Sequence, residues 1–416
     1  MKYALVAAVA AVTLGFASAD EPDGLRLPAG FHATVVADGL GAIRHLAVRE
    51  NGDIYLSTPR DQQGNGKGAG IIALRLNAAH RAEQVEHFGT IDGGTGIRFH
   101  NRALYATSPS GIYRFTFNGN ELVPAKDPET IVEGMPSTHP GFNRTNRPIA
   151  FDDNGHVFVS VEASANFCGE PAAPNTPPVG LKPCPDLGTR AGIWRFSADT
   201  LGQQFAKDGE PWATGIRDLT ALAWSSASAS LYAIMHGRDA LNRNWPTVIS
   251  EEEDNQIADE MHKVTKGADL GWPYTYYDGV RKLRLVSPEY GGDGKTPAKG
   301  SYSTPVLTFQ SRRSAPVDLL FYSGASFPAS YRNGAFIVLH GTANTSGYNV
   351  VFVPFDRSGA PGTPTVFADG FAALDQSTAT PPRPRYRPIG AAVGPDGALY
   401  VADSQVGRVW RIEYAK

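Results

Sequence analysis

Short apolar runs come in pairs along this chain, each pair broken by a polar or glycine-containing turn, and six such pairs recur. In the first, Leu46-Ala47-Val48 and Ile54-Tyr55-Leu56 bracket Glu50-Asn51-Gly52-Asp53. In the last, Ile389-Gly390-Ala391-Ala392-Val393 and Leu399-Tyr400-Val401-Ala402 bracket Pro395-Asp396-Gly397. The others lie at 96–107, 148–159, 219–234 and 317–339. Runs this short, rich in β-branched and aromatic residues and bounded by turn formers, read as β-hairpins. Sustained helical periodicity is absent beyond the N-terminus, and the one predicted helical turn is the mostly polar Glu251 to Lys263. A hairpin repeated at this coarse interval predicts an all-β, six-bladed β-propeller.

Blades are expected to start near Phe31, Ile71, Glu121, Gly192, Glu260 and Pro305. The terminal run from Arg408 to Tyr414 is expected to pair with the first blade and close the ring, which removes an exposed sheet edge. Three stretches fall outside the repeat, at 166–190, 237–274 and 364–384. Loops this long inside a compact unit tend to shape a site.

Composition sharpens this picture in a few places. Only 19% of the 416 residues are charged, while Gly (45) and Pro (31) are abundant, which suits many short strands joined by turns. The repeat runs nearly end to end, so residues 20–416 read as a single domain. Lys2 followed by the apolar run Ala4 to Phe16 and by Ala17-Ser18-Ala19 reads as a signal peptide over residues 1–19. A periplasmic or secreted protein is expected, and no other run approaches membrane-spanning length. The two cysteines, Cys168 and Cys184, sit 16 residues apart in the insertion at 166–190 and are expected to form a disulfide in an oxidising compartment. The net charge of −3 offers nothing to a nucleic acid.

Polar residues just before the apolar runs are the candidates for chemistry: Arg44-His45, Asn146-Arg147, Arg217-Asp218, and Arg385 with Arg387. In a propeller these positions sit at equivalent heights around one funnel. Several arginines aimed at one funnel call for an anion, and the planar guanidinium suits a carboxylate. His236-Gly237-Arg238-Asp239 follows an apolar run, and a glycine there can aim carbonyl oxygens inward, as calcium requires. Signatures of a serine triad or a phosphate-cradling loop are absent.

The order of several phrases resembles the glucose/sorbosone dehydrogenase family: Arg147-Pro148-Ile149-Ala150-Phe151, Ile216-Arg217-Asp218, His236-Gly237-Arg238-Asp239, Lys266 through Tyr274, Leu339-His340-Gly341 and Arg385-Tyr386-Arg387-Pro388. That resemblance, which covers about residues 30–414, implies six-bladed propellers that oxidise sugars with pyrroloquinoline quinone and Ca²⁺. It implies quinone contacts from Arg385 and Arg387, which match the family's Arg-x-Arg, and from Arg217, with Asp218 replacing the usual Asn. Arg147 and the sorbosone-type His340 join that set, and the carbonyls of Gly237 and Arg238 would hold the calcium beside the quinone. Glu260 resembles an acid that holds a second, structural calcium.

One departure concerns the catalytic base. The family places a His three or four residues before the Arg that opens the third blade, and here Asn143 and Arg144 stand there. The nearest histidine, His139, is the expected base, with His45 and His236 as the other candidates. The expected activity is oxidation of an aldose or related sugar at C1, with electrons passing on to a soluble or membrane carrier. Two alternatives stay open: a non-catalytic propeller that binds a ligand in the same funnel, and a calcium-dependent propeller lactonase.

Overall fold

The computed structural model describes residues 24–59, 70–136, 146–169, 176–310, 314–342, 347–372 and 384–415. Among the described residues, six blades stand around a central axis, each with its first strand innermost, and Thr275–Asp278 and Leu283–Val286 form a separate two-stranded hairpin. Blade 1 runs through His45–Val48, Ile54–Thr58, Gly70–Leu76 and Ala82–Phe88. Blade 2 is built from Ile97–His100, Ala103–Thr107, Ile112–Phe115 and Glu129–Glu133. Blade 3 uses Ile149–Phe151, His156–Val161, Gly192–Ser197 and Glu210–Thr214. Blade 4 comprises Leu219–Ser225, Ser230–Met235, Ala258–Val264 and Leu307–Gln310. Blade 5 contains Pro316–Phe321, Gly334–Leu339, Asn349–Pro354 and Thr365–Ala368. Blade 6 takes Pro388–Val393, Leu399–Asp403 and Val409–Tyr414 from the C-terminus and Phe31–Ala37 from the N-terminus.

The six hairpins read from the sequence are the inner two strands of the six blades. The expected blade starts are out of phase with this. Ile71, Gly192 and Glu260 lie in third strands, and the inner strands begin instead at His45, Ile97, Ile149, Leu219, Pro316 and Pro388. Ring closure also differs in detail. Phe31 pairs with Tyr414 and Val35 with Trp410, so the N-terminal strand is the outer edge of the last blade and not part of the first.

Each blade is sandwiched between two others, so both faces of its inner strands are buried, and the apolar runs there are nearly continuous instead of alternating. Successive side chains still point to opposite faces. Leu46, Ile54, Leu56, Ile72 and Leu74 pack against Ile389, Ala398 and Tyr400 of blade 6. Their neighbours Ala47, Tyr55, Ile71 and Ala73 pack against Ile97, Leu104 and Phe115 of blade 2. The same division repeats at every blade junction.

Near the axis a buried ion network ties four blades together. The Asp318 carboxylate of blade 5 lies 3.0 Å from His45 Nε2 of blade 1 and accepts from Arg98 Nη2 of blade 2 at 2.9 Å. It also accepts from the backbone N–H of Ala391 in blade 6 at 2.8 Å.

The predicted helix is shorter than expected. Only Glu251–Gln256 is helical, opened by Ser250 and Glu253 in a reciprocal capping box, and Ala258–Val264 is the third strand of blade 4. Asp254 in this helix is buried and accepts from the Leu241 N–H at 2.8 Å. Likewise Thr365–Ala368, inside an expected loop, is the outer strand of blade 5.

Cys168 and Cys184 are disulfide-bonded. The loop they close packs on Trp272 and is pinned by hydrogen bonds from Tyr290 Oη to the Cys168 carbonyl and from the Cys184 N–H to Tyr274 Oη. Closing a loop of this length stabilises by about 3 kcal/mol through the unfolded chain. A Cys168→Ser/Cys184→Ser double variant is therefore expected to lose about that much in urea unfolding. An unchanged midpoint would show that the loop contributes nothing to global stability.

Candidate functional site

The residues just before the inner strands meet at one end of the axis, around a cavity of about 450 Å³. Its wall includes Arg44, Asn146, Glu162, Asn166, Arg217, Asp218, His236, Asp239, His340 and Arg387. The entrance pairs differ in which residue faces the cavity, and Arg217 and Asp218 both line it. Arg44 and Asn146 line it, while their neighbours His45 and Arg147 turn into the blades.

Arg217 is held by acceptors on two loops. Its Nη1 donates to Asp239 Oδ2 at 2.9 Å and to Asn166 Oδ1 at 3.1 Å. Asn166 opens the disulfide loop, so that insertion supplies part of the wall. Arg387 donates through Nη2 to the Gly341 carbonyl at 2.6 Å and through Nε to the His340 carbonyl at 3.3 Å. Gly341 has φ +72°, and a Cβ there would sit 2.5 Å from the Tyr348 ring, so this turn requires glycine. His340 Nε2 is 2.9 Å from Ser404 Oγ.

A polar chain crosses the floor. Arg44 Nη2 donates to Asn146 Oδ1 at 3.3 Å, and Asn146 Nδ2 donates to Asp218 Oδ1 at 2.9 Å. Burial works to neutralise Asp218, but His236, Arg217 and Asn146 outweigh it and hold the carboxyl well below the usual range. Burial likewise disfavours charge on His236, yet Asp259 and Asp218 outweigh it and push its pKa up to about 9. Glu162 behaves in the opposite way to Asp218: burial and the neighbouring Asp218 charge raise its carboxyl well above the ordinary range. The cationic Arg44, Arg217, Arg387 and His236 thus face Asp218 and Asp239, and burial works against charge on Glu162. The cavity is net cationic and suits a multiply anionic guest.

The other residues singled out from the sequence sit elsewhere. Arg147 is fully buried and donates to the carbonyls of Ser160, Pro109 and Pro136, so it braces the blade 2–blade 3 junction. Arg385 is exposed at a bend, with its guanidinium over the Tyr386 ring. Arg238 is buried and paired with Glu289. The Gly237 N–H donates to Asp259 Oδ1 at 3.0 Å, beside the cavity wall. Glu260 is buried in an ion pair with Arg284 and lies 3.1 Å from His262 Nε2, both contacts falling on its Oε2. His139, Asn143 and Arg144 lie outside the described residues, as does the expected signal peptide. Glu162 and Asn166 were not singled out by sequence reasoning. Each sits one or two residues from a strand end or a cysteine, with no motif around it.

A profile of the TrAA12-like family matches residues 25–278 and 286–415. The chain belongs to the TrAA12-like family. Among solved structures, this TrAA12-like chain is similar to the holo form of the pyranose dehydrogenase PQQ domain from Coprinopsis cinerea. The two share 18% identity over 94% of this chain and 97% of that one, with a TM-score of 0.66. It is also similar to the calcium structure of the Trichoderma reesei family AA12 protein, at 16% identity over 93% and 96% of the two chains and a TM-score of 0.68. At these identities the likeness establishes the propeller fold. An uncharacterised protein of Borreliella burgdorferi is 26% identical over 209 residues. That match spans 49% of this chain and about half, 48%, of the relative's length.

Proposed function

We propose that this propeller is a quinone-dependent sugar oxidoreductase that binds pyrroloquinoline quinone in the axial cavity and oxidises an aldose or related pyranose at C1. The observation that carries the reading is the cluster of Arg44, Arg217, Arg387 and protonated His236 around a cavity of about 450 Å³. A tricarboxylated aromatic matches both the charge and the planar acceptor geometry that guanidinium groups prefer. The likeness to the pyranose dehydrogenase PQQ domain supports the cofactor and the substrate class, and the likeness to the calcium structure supports Ca²⁺.

Arg387 and Arg217 would hold quinone carboxylates, with Arg44 and His340 completing the wall. Calcium would be held by the carbonyls of Gly237 and Arg238, oxygen donors of the kind this ion takes. The chemistry such a quinone supplies when bound is acceptance of a hydride from the sugar carbon. The chain's own part is to bind and orient. The Arg217–Asp239–Asn166 contacts fix one wall, and the His340 and Gly341 carbonyls aim Arg387. The disulfide supports a periplasmic or extracellular setting, and the electrons would leave to a soluble or membrane carrier.

A calcium lactonase would need inward acids around one axial metal. Among the described residues no three His, Cys, Asp or Glu side chains are placed to share an ion. The test is direct. The purified protein is titrated with the quinone and Ca²⁺ by absorbance, then assayed for dye reduction with a panel of sugars. Saturable binding with sugar-dependent dye reduction is expected. Binding without turnover would favour a non-catalytic propeller, and no binding would end the proposal.

A further inference from the structure

Anion binding does not account for one acidic side chain in the axial cavity. Glu162 directly follows the blade 3 strand His156–Val161. The next residue, Ala163, donates its N–H to the Arg217 carbonyl at 2.8 Å, which fixes this backbone beside the entrance of blade 4. The Glu162 side chain lines the cavity, and its Oε1 is shielded from solvent with no hydrogen-bond partner among the described residues. Its carboxyl lies against that of Asp218.

Two carboxyl groups in contact and out of water do not both stay ionised; they share a proton. The surroundings decide which one keeps it. Asp218 has a donor in Asn146 and cations in His236 and Arg217, so it holds the negative charge. Glu162 is drawn toward ionisation by the fields of Arg147 and Arg217, and Arg147 gives its two Nη groups to backbone carbonyls. Burial and Asp218 therefore raise the Glu162 carboxyl against the pull of the two arginines. A carboxylate made more basic in this way is better matched to a proton transfer near neutral pH than an ordinary one.

We propose that Glu162 is the proton acceptor of this cavity, taking the hydroxyl proton of the sugar while Asp218 stays ionised and orients it. The role rests on the quinone-dependent reading given above. In the step, the sugar O–H bond breaks and its proton passes to a Glu162 oxygen. The C–H electron pair would leave with its hydrogen as a hydride that the bound quinone would accept, as the carbon–oxygen double bond forms. Glu162 later releases its proton to water at the cavity mouth. The position has no histidine requirement, which fits a chain carrying Asn143 and Arg144 where a histidine was expected.

The test uses the full chain with quinone and Ca²⁺. Glu162→Gln keeps the side chain's size and offers Asp218 an amide donor. The variant is expected to bind the quinone as the parent does and to lose turnover by about 100-fold or more. The parent's rate is expected to rise with pH as Glu162 ionises, and the variant's profile to lose that limb. Infrared spectroscopy of the quinone-free protein supplies a readout independent of activity. The parent is expected to show a protonated carboxyl band at neutral pH, and Glu162→Gln to lack it. Glu162→Asp is expected to recover part of the rate and the pH limb. Quinone binding with unchanged turnover in Glu162→Gln overturns the role alone. A parent without the protonated band also overturns it, whether or not the variant folds. A parent that binds no quinone overturns the function, and this role with it.

Discussion

Replacing Arg387 by alanine weakens pyrroloquinoline quinone binding by about ten- to a hundredfold, while Arg385→Ala leaves it unchanged. The magnitude follows from losing a hydrogen bond to a charged group, about 1.5–3 kcal/mol, with every ~1.4 kcal/mol worth a factor of ten. The contrast follows from placement. Arg387 lines the cavity and is aimed by two carbonyls, whereas Arg385 is exposed at a bend over Tyr386. Arg387→Lys recovers only part of the loss, because an ammonium cannot present the planar donor fork. The measurement is an absorbance titration of the quinone at two ionic strengths. Equal affinities for the Arg385 and Arg387 variants would remove Arg387 from the site.

The second large effect is on stability. Asp318→Ala removes the counter-charge from Arg98 at the axis, where the carboxylate is 2% exposed, and takes an acceptor from His45 Nε2 and from the Ala391 N–H. Deleting one member of a buried ionic group costs about 3–5 kcal/mol because the rest stays desolvated and unpaired. Urea unfolding of parent and variant measures the difference, and a loss below ~1 kcal/mol would be too small for a buried network. Acid supplies a second check. Burial alone would raise the Asp318 carboxyl, but His45, Arg98 and the Ala391 N–H outweigh it and hold it well below the usual range. A depressed folded pKa stabilises fully above the unfolded value of about 3.9 and fades as pH falls through the folded one. The gap between parent and Asp318→Ala should therefore be full at neutral pH and narrow in strong acid.

These two residues show how unevenly the site could be read beforehand. Arg387 and Arg217 were legible because each directly precedes an apolar run, and the end of an inner strand points at the axis whatever the blade. Arg147 occupies the same kind of place and fails the expectation. Asn146, one residue earlier, lines the cavity, and Arg147 is buried with its Nη groups on the carbonyls of Ser160 and Pro109. Arg385 and Arg387 would share a face on a regular strand, but the strand begins only at Pro388 and the bend at Arg385 breaks the alternation. Glu260, expected at a metal, has its Oε2 engaged by Arg284 and His262, and Arg284 is 24 residues away on a separate hairpin. Glu162 gave no signal, because nothing local distinguishes it from any other acid at a strand end.

The sequence by itself determined the all-β propeller, its six hairpins and the pairing of its two cysteines. These depend on short-range pattern: paired apolar runs, turns between them and two thiols in one loop. Only the tertiary structure decided which polar side chains share the axial cavity, that Asp318 locks four blades together, and that Glu162 meets Asp218. Those contacts join residues far apart in the chain. Their charge states are set by distance and burial, which exist only once the ring has closed.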